Sequence, residues 1–486
     1  MKAIDLPPYA PTLIESTRAI GYSLEAAVAD IIDNSIAAGA SKVDLFFFPI
    51  GDAYISILDN GTGMNAEELN CAMQYGSKNP NLKRDERDLG RFGLGLKTAS
   101  LSQCRCLTVV SKQGESIEGR RWDLDHVAQA ESWSLLVLNA DEINALPQMD
   151  ELMKYKSGTL VVWQNLDRLS VGETSFEQTL GKKIDAVREH LSLVYHRYIS
   201  GEKGIIKLKL RINGSDVQAQ DPFLTGKSNQ PMDDEVIIIR GEKILIRAYI
   251  LPHISKLSKA EIDALGGKDG LRAKQGFYVY RNKRLLVAGD WFRMMRKGDL
   301  SKLARIQVDI PNTLDDLWTL DIKKSVAIPP VEVRENLKSI IAKLAEHSKR
   351  TWTYRGKKEV SDDIVHVWNR LKTRNGGYVY EVNKKNPVLL RLLEKHPEIK
   401  NEVDVLIRQI ESGLPLNSLY LDLANDEKLE NDENLQLNDM LQMVKQILEN
   451  TEQAQRKSVL CLLIAGEPFS MYAEEIQSAY EEGKLL

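Results

Sequence analysis

Apolar residues recur at helical spacing in S-L-E-A-A-V-A-D-I-I-D-N-S-I-A-A-G-A, residues 23–40, and this stretch organises the reading of the chain. At about 100° per residue, Leu24, Val28, Ile31, Ile32 and Ile36 share one side of a helix. Ser23 is placed to cap its start and Gly39 to end it. That stripe is a packing face. Asp30, Asp33 and Asn34 fall opposite, among Ala26, Ala27 and Ala37, where nothing bulky stands in the way of a ligand.

The pattern then turns to strands. Residues 42–49 and 54–58 pair around Gly51-Asp52, residues 65–75 are helical, and residues 106–111, 116–123 and 157–163 read as further strands. A helix over 177–199 leads to strands at 205–212, ending in the hairpin signal Asn213-Gly214, and at 235–238. Residues 276–286 form a strand and turn, and a helix with 3.6-residue spacing covers 332–350.

Two glycine motifs give the polar face of the first helix a use. Asp59-Asn60-Gly61-Thr62-Gly63-Met64 follows directly on strand 54–58. Gly90-Arg91-Phe92-Gly93-Leu94-Gly95-Leu96-Lys97-Thr98-Ala99-Ser100 follows a charged loop whose position suits a nucleotide lid. Singly, D-N-G is often a hairpin turn and a glycine run an ordinary loop. The three motifs in this order are a stronger pattern.

In these residues the chain resembles the GHKL ATPases, the superfamily of DNA gyrase B, heat-shock protein 90, histidine kinases and MutL. The wording A-D-I-I-D-N-S-I-A-A-G-A, L-D-N-G-T-G-M and G-R-F-G-L-G-L-K-T-A-S is most similar to the MORC-like branch and its bacterial relatives. The resemblance implies an α+β fold. Residues 1–165 would be a GHKL (Bergerat) α/β sandwich, 166–335 an S5-like transducer domain, and 336–486 a mainly helical region that no motif covers. It also implies a slow Mg-ATP-hydrolysing clamp or switch that dimerises or closes on ATP, in DNA-related or genome-defence processes.

The implied cofactors are ATP and Mg²⁺, and the resemblance assigns roles residue by residue. Asn34 offers Mg²⁺ a hard amide oxygen, and Asp59 accepts from the adenine amino group. Gly61, Gly63 and Met64 approach the ring. Gly93, Gly95 and Leu96 present backbone N–H groups to phosphate at a helix start, beside Arg91, Phe92, Leu94 and the point charge of Lys97. Thr159 contacts the nucleotide, and either Lys323 or Lys324 reaches back to the terminal phosphate. Asp30, four residues before Asn34 and on its face, stands where MutL-type relatives carry a glutamate base. One methylene is missing, so a nucleotide-binding pseudo-ATPase stays open, with Asp33 next in line as base.

Composition narrows the alternatives. Over 486 residues, 43% hydrophobic and 28% charged content with net charge −4 describes an ordinary multidomain globular chain, without a global field for nucleic acid or membrane. Four cysteines, none in a CxxC pair, argue against a disulfide framework or zinc site. The longest apolar run, near 459–465, is far short of a membrane span, so the expectation is cytoplasmic. Residues 349–385 hold ten Lys or Arg against four acids, interleaved with Trp352, Tyr354, Trp368, Tyr378 and Tyr380; residues 401–440 hold ten acids against two bases. The first stretch, including Arg355, Lys357 and Lys358, is the candidate DNA contact, and the C-terminal third the candidate partner-protein surface. A histidine kinase is disfavoured, because the first histidine, His126, follows the ATP motifs instead of preceding them. A chaperone like heat-shock protein 90 shares the nucleotide chemistry but matches the motif wording less well.

Overall fold

The structure, a computed structural model, describes residues 8–19, 21–76, 95–169, 176–252, 256–298, 301–315, 317–320, 327–353, 365–372, 378–416 and 433–485. The chain divides into two compact units, Met1–Tyr354 and Arg355–Leu486. Among the described residues no helix is long and apolar enough to cross a membrane.

The first unit begins with helices α1 (Ala10–Arg18) and α2 (Leu24–Ala37), then strands β1 (Lys42–Phe48) and β2 (Tyr54–Asp59). Helices α3 (Ala66–Met73) and α4 (Gly95–Leu101) lead to β3 (Cys106–Gln113) and β4 (Ser116–Asp123). Next come α5 (Leu124–Ala130), β5 (Leu136–Val137), α6 (Ala140–Asn144), α7 (Met149–Met153) and β6 (Ser157–Gln164). Then follow α8 (Phe176–Val194), α9 (His196–Ser200), β7 (Lys209–Ile212) and β8 (Ser215–Asp216).

These strands form one eight-stranded sheet in the order β5-β4-β3-β6-β2-β1-β7-β8, with β1–β7 its parallel pair. Side chains alternate across it, as a pleat requires. Leu107, Val109, Val161 and Trp163 face the helical layer with α2, while Val110, Leu160 and Val162 pack beneath Ile143, Met149 and Leu152 of α6 and α7. Each such fully buried side chain contributes about 1.5–3 kcal/mol. No break in packing falls at Leu166, where the sequence suggests a domain boundary. The same core runs on through α8 to Val217, because β7 pairs with β1 across 167 residues of chain and draws the hairpin β7–β8 into the first sheet.

A second, five-stranded sheet follows. It is built from β9 (Glu235–Ile239), β10 (Glu242–Ile250), β11 (Gly276–Arg281), β12 (Arg284–Asp290) and β13 (Ala304–Ile310), in the order β12-β11-β13-β10-β9. Helices α10 (Lys259–Ala264) and α11 (Gly267–Ala273) lie between β10 and β11. The short pair β14 (Thr319–Leu320) and β15 (Ala327–Ile328) precedes α12 (Val331–Thr353). Val333, Leu337, Ile340 and Leu344 of α12 join this sheet's core at helical spacing. The hairpin read from sequence closes as expected at Asn213-Gly214, with φ 47° and 80°, and β11 and β12 turn through Asn282-Lys283 at φ 47° and 66°.

The second unit is mainly helical. A hairpin of β16 (Trp368–Lys372) and β17 (Tyr378–Val382) precedes α13 (Pro387–Lys395), α14 (Lys400–Ser412), α15 (Glu433–Glu449), α16 (Arg456–Ile464) and α17 (Ala473–Glu481). Val444, Leu448, Leu460, Leu463, Phe469 and Ile476 form its core. Arg355, Lys357, Lys358 and the acidic run 425–432 lie outside the described residues.

His196, at the start of α9, is buried with Nε2 2.8 Å from Tyr280 Oη on β11. Burial lowers its pKa from 6.5 to about 4, so the folded state keeps a neutral ring. The unfolded chain binds a proton there that the folded chain does not. Stability is therefore full above the unfolded pKa and falls as pH drops from 6.5 towards 4. In His196→Gln the amide can keep the bond to Tyr280 without titrating. Between about pH 7.5 and pH 5 the parent should lose about 2 kcal/mol more than this variant in denaturant melts; parallel pH profiles would show an imidazole that titrates freely.

Candidate functional site

The site grows from α2. Ser23 Oγ accepts the Ala26 N–H at 3.4 Å, and the chain leaves the helix at Gly39 with φ +73°. The apolar stripe packs as its spacing predicts, with Leu24, Val28, Ile31 and Ile32 buried. The opposite face is open only in part: Asp33 is 1% exposed, covered by Tyr195 between α8 and α9 and by Arg284 of the second sheet, and Asp30, 4% exposed, lies against the start of α4, while Ala37 is exposed.

Asp33 is engaged. Its Oδ1 lies 2.7 Å from Tyr195 Oη and 3.2 Å from Arg284 Nε, so its lone pairs face protein donors and it is poorly placed as a base. Asn34, by contrast, is exposed, and its side-chain amide makes no hydrogen bond among the described residues. Asp30 faces the start of α4: a Cβ built on Gly95 would lie 3.8 Å from Asp30 Oδ2. One turn of α2 thus carries a buried acid towards α4 and a free amide outward.

Asp59 ends β2 as a buried carboxylate with three donors. Gly61 N–H donates to Oδ1 at 2.8 Å, Thr159 N–H to Oδ1 at 3.3 Å, and Ser35 Oγ to Oδ2 at 2.8 Å. Burial pushes its pKa up, and those three hydrogen bonds pull it back. A carboxylate offers about four acceptor positions, so one remains. Thr159 sits opposite Asp59 in the β2–β6 register, so the Gly-Thr step flanks the end of β2.

The loop after Asp59 is tied down at each residue. Asn60 Oδ1 accepts from the Ser41 and Lys42 N–H groups at 3.0 and 2.9 Å, and Thr62 N–H donates to Ala38 O at 3.0 Å. Ser157 Oγ donates to Gly61 O at 2.7 Å, and Met64 N–H to Ser111 Oγ at 2.8 Å. Gly63, at φ +68°, must be glycine for protein contact alone: a Cβ there would meet Lys112 O at 2.0 Å. A Cβ on Gly158 would meet Asp59 O at 2.2 Å.

Lys97 is buried, its Nζ donating to Ala72 O at 2.9 Å in the last turn of α3, where a cation complements the helix dipole. It braces α3 against α4 in this structure. Leu96 is half-buried beside it. Arg91, Phe92, Gly93 and Leu94 lie outside the described residues, as do Lys323 and Lys324. Among the described residues no three His, Cys, Asp or Glu side chains gather as a metal cluster. The donor set is a single hard amide oxygen, which suits an ion keeping most of its ligands as water and phosphate.

Sequence reasoning missed the roles of Ser35, Ser111 and Ser157, which orient Asp59 and its loop. Their signal was present in D-N-S and S-G-T, but only the register of β3, β6 and β2 tells which partner each meets.

Residues 22–159 match the family described as "Histidine kinase-, DNA gyrase B-, and HSP90-like ATPase". The chain is 26% identical over 162 residues to DNA mismatch repair protein MutL of Bradyrhizobium diazoefficiens, covering 33% of this chain and 24% of that protein. It is 33% identical over 93 residues to MutL of Shewanella woodyi, covering 19% and 15% respectively. The match thus spans a quarter or less of the length of these curated relatives. Among solved structures, the N-terminal domain of a DNA repair protein aligns at TM-score 0.44 and 15% identity, over 70% of this chain and 99% of that one. The chain is mixed α/β, and its residues 22–159 match the GHKL-type ATPase domain.

Proposed function

We propose that this chain binds Mg-ATP between α2, the Asp59–Met64 loop and the start of α4, hydrolyses it slowly, and closes as a homodimeric clamp or switch in a DNA-related process. The observation that carries the reading is Asp59, a buried carboxylate held by three donors with one acceptor position left for an amino group. Asn34 would hold Mg²⁺, which neutralises phosphate charge when bound. Asp30 would orient water from the same turn of α2. The second sheet would serve as the transducer, and Lys323 or Lys324 would reach the terminal phosphate. The MutL relatives and the MORC-like motif wording support work on DNA, in repair or genome defence. The basic stretch 349–385 is the surface proposed to meet it.

A second reading, nucleotide binding without hydrolysis, is favoured by Asp30 itself. It is shorter than glutamate and nearly fully buried, so water has little access to it.

Asp59→Asn keeps shape but presents a donor where an acceptor is needed. An unpaired buried group costs about 1–3 kcal/mol, so ATP affinity by calorimetry should fall about tenfold; unchanged affinity would place adenine elsewhere.

Asp30→Asn should leave nucleotide affinity intact and slow single-turnover hydrolysis by about 10²–10⁴-fold. Equal turnover in the two proteins would remove Asp30 as base, and a parent that binds ATP but never turns over would establish the second reading.

In sedimentation, a non-hydrolysable ATP analogue should convert monomer to dimer where ADP does not. A mass unchanged by the analogue would end the clamp reading while leaving the nucleotide site standing.

A further inference from the structure

Resting on the ATPase reading above, we propose that Arg284 of the second sheet is a positioning residue for the nucleotide helix, holding Asn34 and Asp30 in register through Asp33.

Arg284 is the first residue of β12, directly after the Asn282-Lys283 turn, and is 5% exposed. Its Nη1 donates to its neighbour's carbonyl, Leu285 O, at 2.9 Å, while Nε reaches α2 and lies 3.2 Å from Asp33 Oδ1. From the other side, Tyr195 Oη stands 2.7 Å from both Asp33 Oδ1 and Ala29 O, so it touches two successive turns of α2. Asp33 is therefore gripped between the α8–α9 junction and the second sheet. It directly precedes Asn34 and follows Asp30 by three residues.

The hairpin that carries Arg284 is itself docked. Tyr198 Oη donates to Asn282 O at 2.7 Å, Lys283 Nζ to Glu202 Oε1 at 2.8 Å, and Tyr280 Oη meets His196. Arg197 completes the seam by pairing with Glu202 and, on β13, with Asp309. A shift of β11–β12 along this seam moves the guanidinium relative to α2. Separating a buried carboxylate from its guanidinium leaves uncompensated charge on both sides, so α2 and the hairpin move together or not at all. The nearby His190 adds no second cation, since burial and the Arg284 charge hold its pKa at about 4. The attraction of Asp30 for Arg284 acts in the same sense as that of Asp33.

Of the three donors to Asp59 only Ser35 lies on α2; Gly61 and Thr159 hold it from its own loop and from β6. Loss of Arg284 should therefore spare base recognition and disturb the chemistry on α2. Arg284→Gln removes the charge and keeps much of the side chain. We expect kcat to fall about tenfold or more, as misplaced catalytic groups do, with ADP affinity within about threefold of the parent. We also expect amide hydrogen exchange to quicken in residues 30–38 while β3 and β6 stay protected. A merely structural role would loosen the whole sheet and leave kcat per folded molecule unchanged. A folded Arg284→Gln protein with parental kcat and parental exchange in α2 overturns the proposal. Where that variant does not fold, Arg284→Lys, which keeps charge but loses the planar fork, decides between the same outcomes. A parent without turnover would count against the ATPase reading alone, and the α2 exchange comparison would still decide Arg284.

Discussion

Carboxylates taken out of water need donors, and helix α2 puts Asp30 and Asp33 into the interior within one turn while β2 adds Asp59 nearby. Much of the first unit is arranged to meet that demand. Tyr195 breaks the long helical run after strand β6 into α8 and α9, and its hydroxyl turns into Asp33. Arg284 arrives from a different sheet for the same carboxylate. Ser35, one residue from Asn34, faces inward to Asp59, so α2 and the end of β2 share a bond in addition to their apolar packing. The three acids thereby link a helix, the end of a strand and a second sheet around one small volume.

Local structure was largely legible because local physics decides it. Ser23 and Asn65 cap helices where their sequence positions say they should, the latter with Glu68 in a reciprocal capping box. Strands β1, β2, β3, β4, β6, β9 and β11 stand where alternating or β-branched runs place them. Two-residue turns needing positive φ fall on Asn-Gly and Asn-Lys. What escaped was set by distant chain. The polar face of α2 looks vacant on a wheel because Tyr195 and Arg284 stand 162 and 251 residues beyond Asp33. Likewise β7 and β8 fall, on the sequence reading, inside the domain expected from residue 166 onward, and only the parallel pairing of Lys42 with Lys209 shows them joining the first sheet.

The glycines of the Asp59–Met64 loop answer to protein contacts as well as to the ligand that the resemblance implies. The resemblance gives Gly61 and Gly63 to the ligand, and the structure gives both a protein cause. A Cβ on Gly61 would press on Ala38 at 2.9 Å, and one on Gly63 would enter the Lys112 carbonyl. These contacts seat the loop on the end of α2 and on β3. Residues that hold a loop this tightly also fix where its backbone meets any ligand, so the two demands on glycine reinforce each other.

The substitution of aspartate for glutamate at position 30 can be argued from the same packing. Asp30 Oδ2 stands 3.8 Å from where a Gly95 side chain would begin. Gly95 opens α4, and α4 is held from behind by Lys97 on the last turn of α3. An extra methylene at position 30 would push the carboxylate towards that helix start, which its brace on α3 resists. A short acid and a close α4 therefore form one solution, in which the carboxylate stays near its own helix. Under the proposed hydrolysis, reacting water would have to come to it, and the register of α2 would bear directly on whether that water is reached.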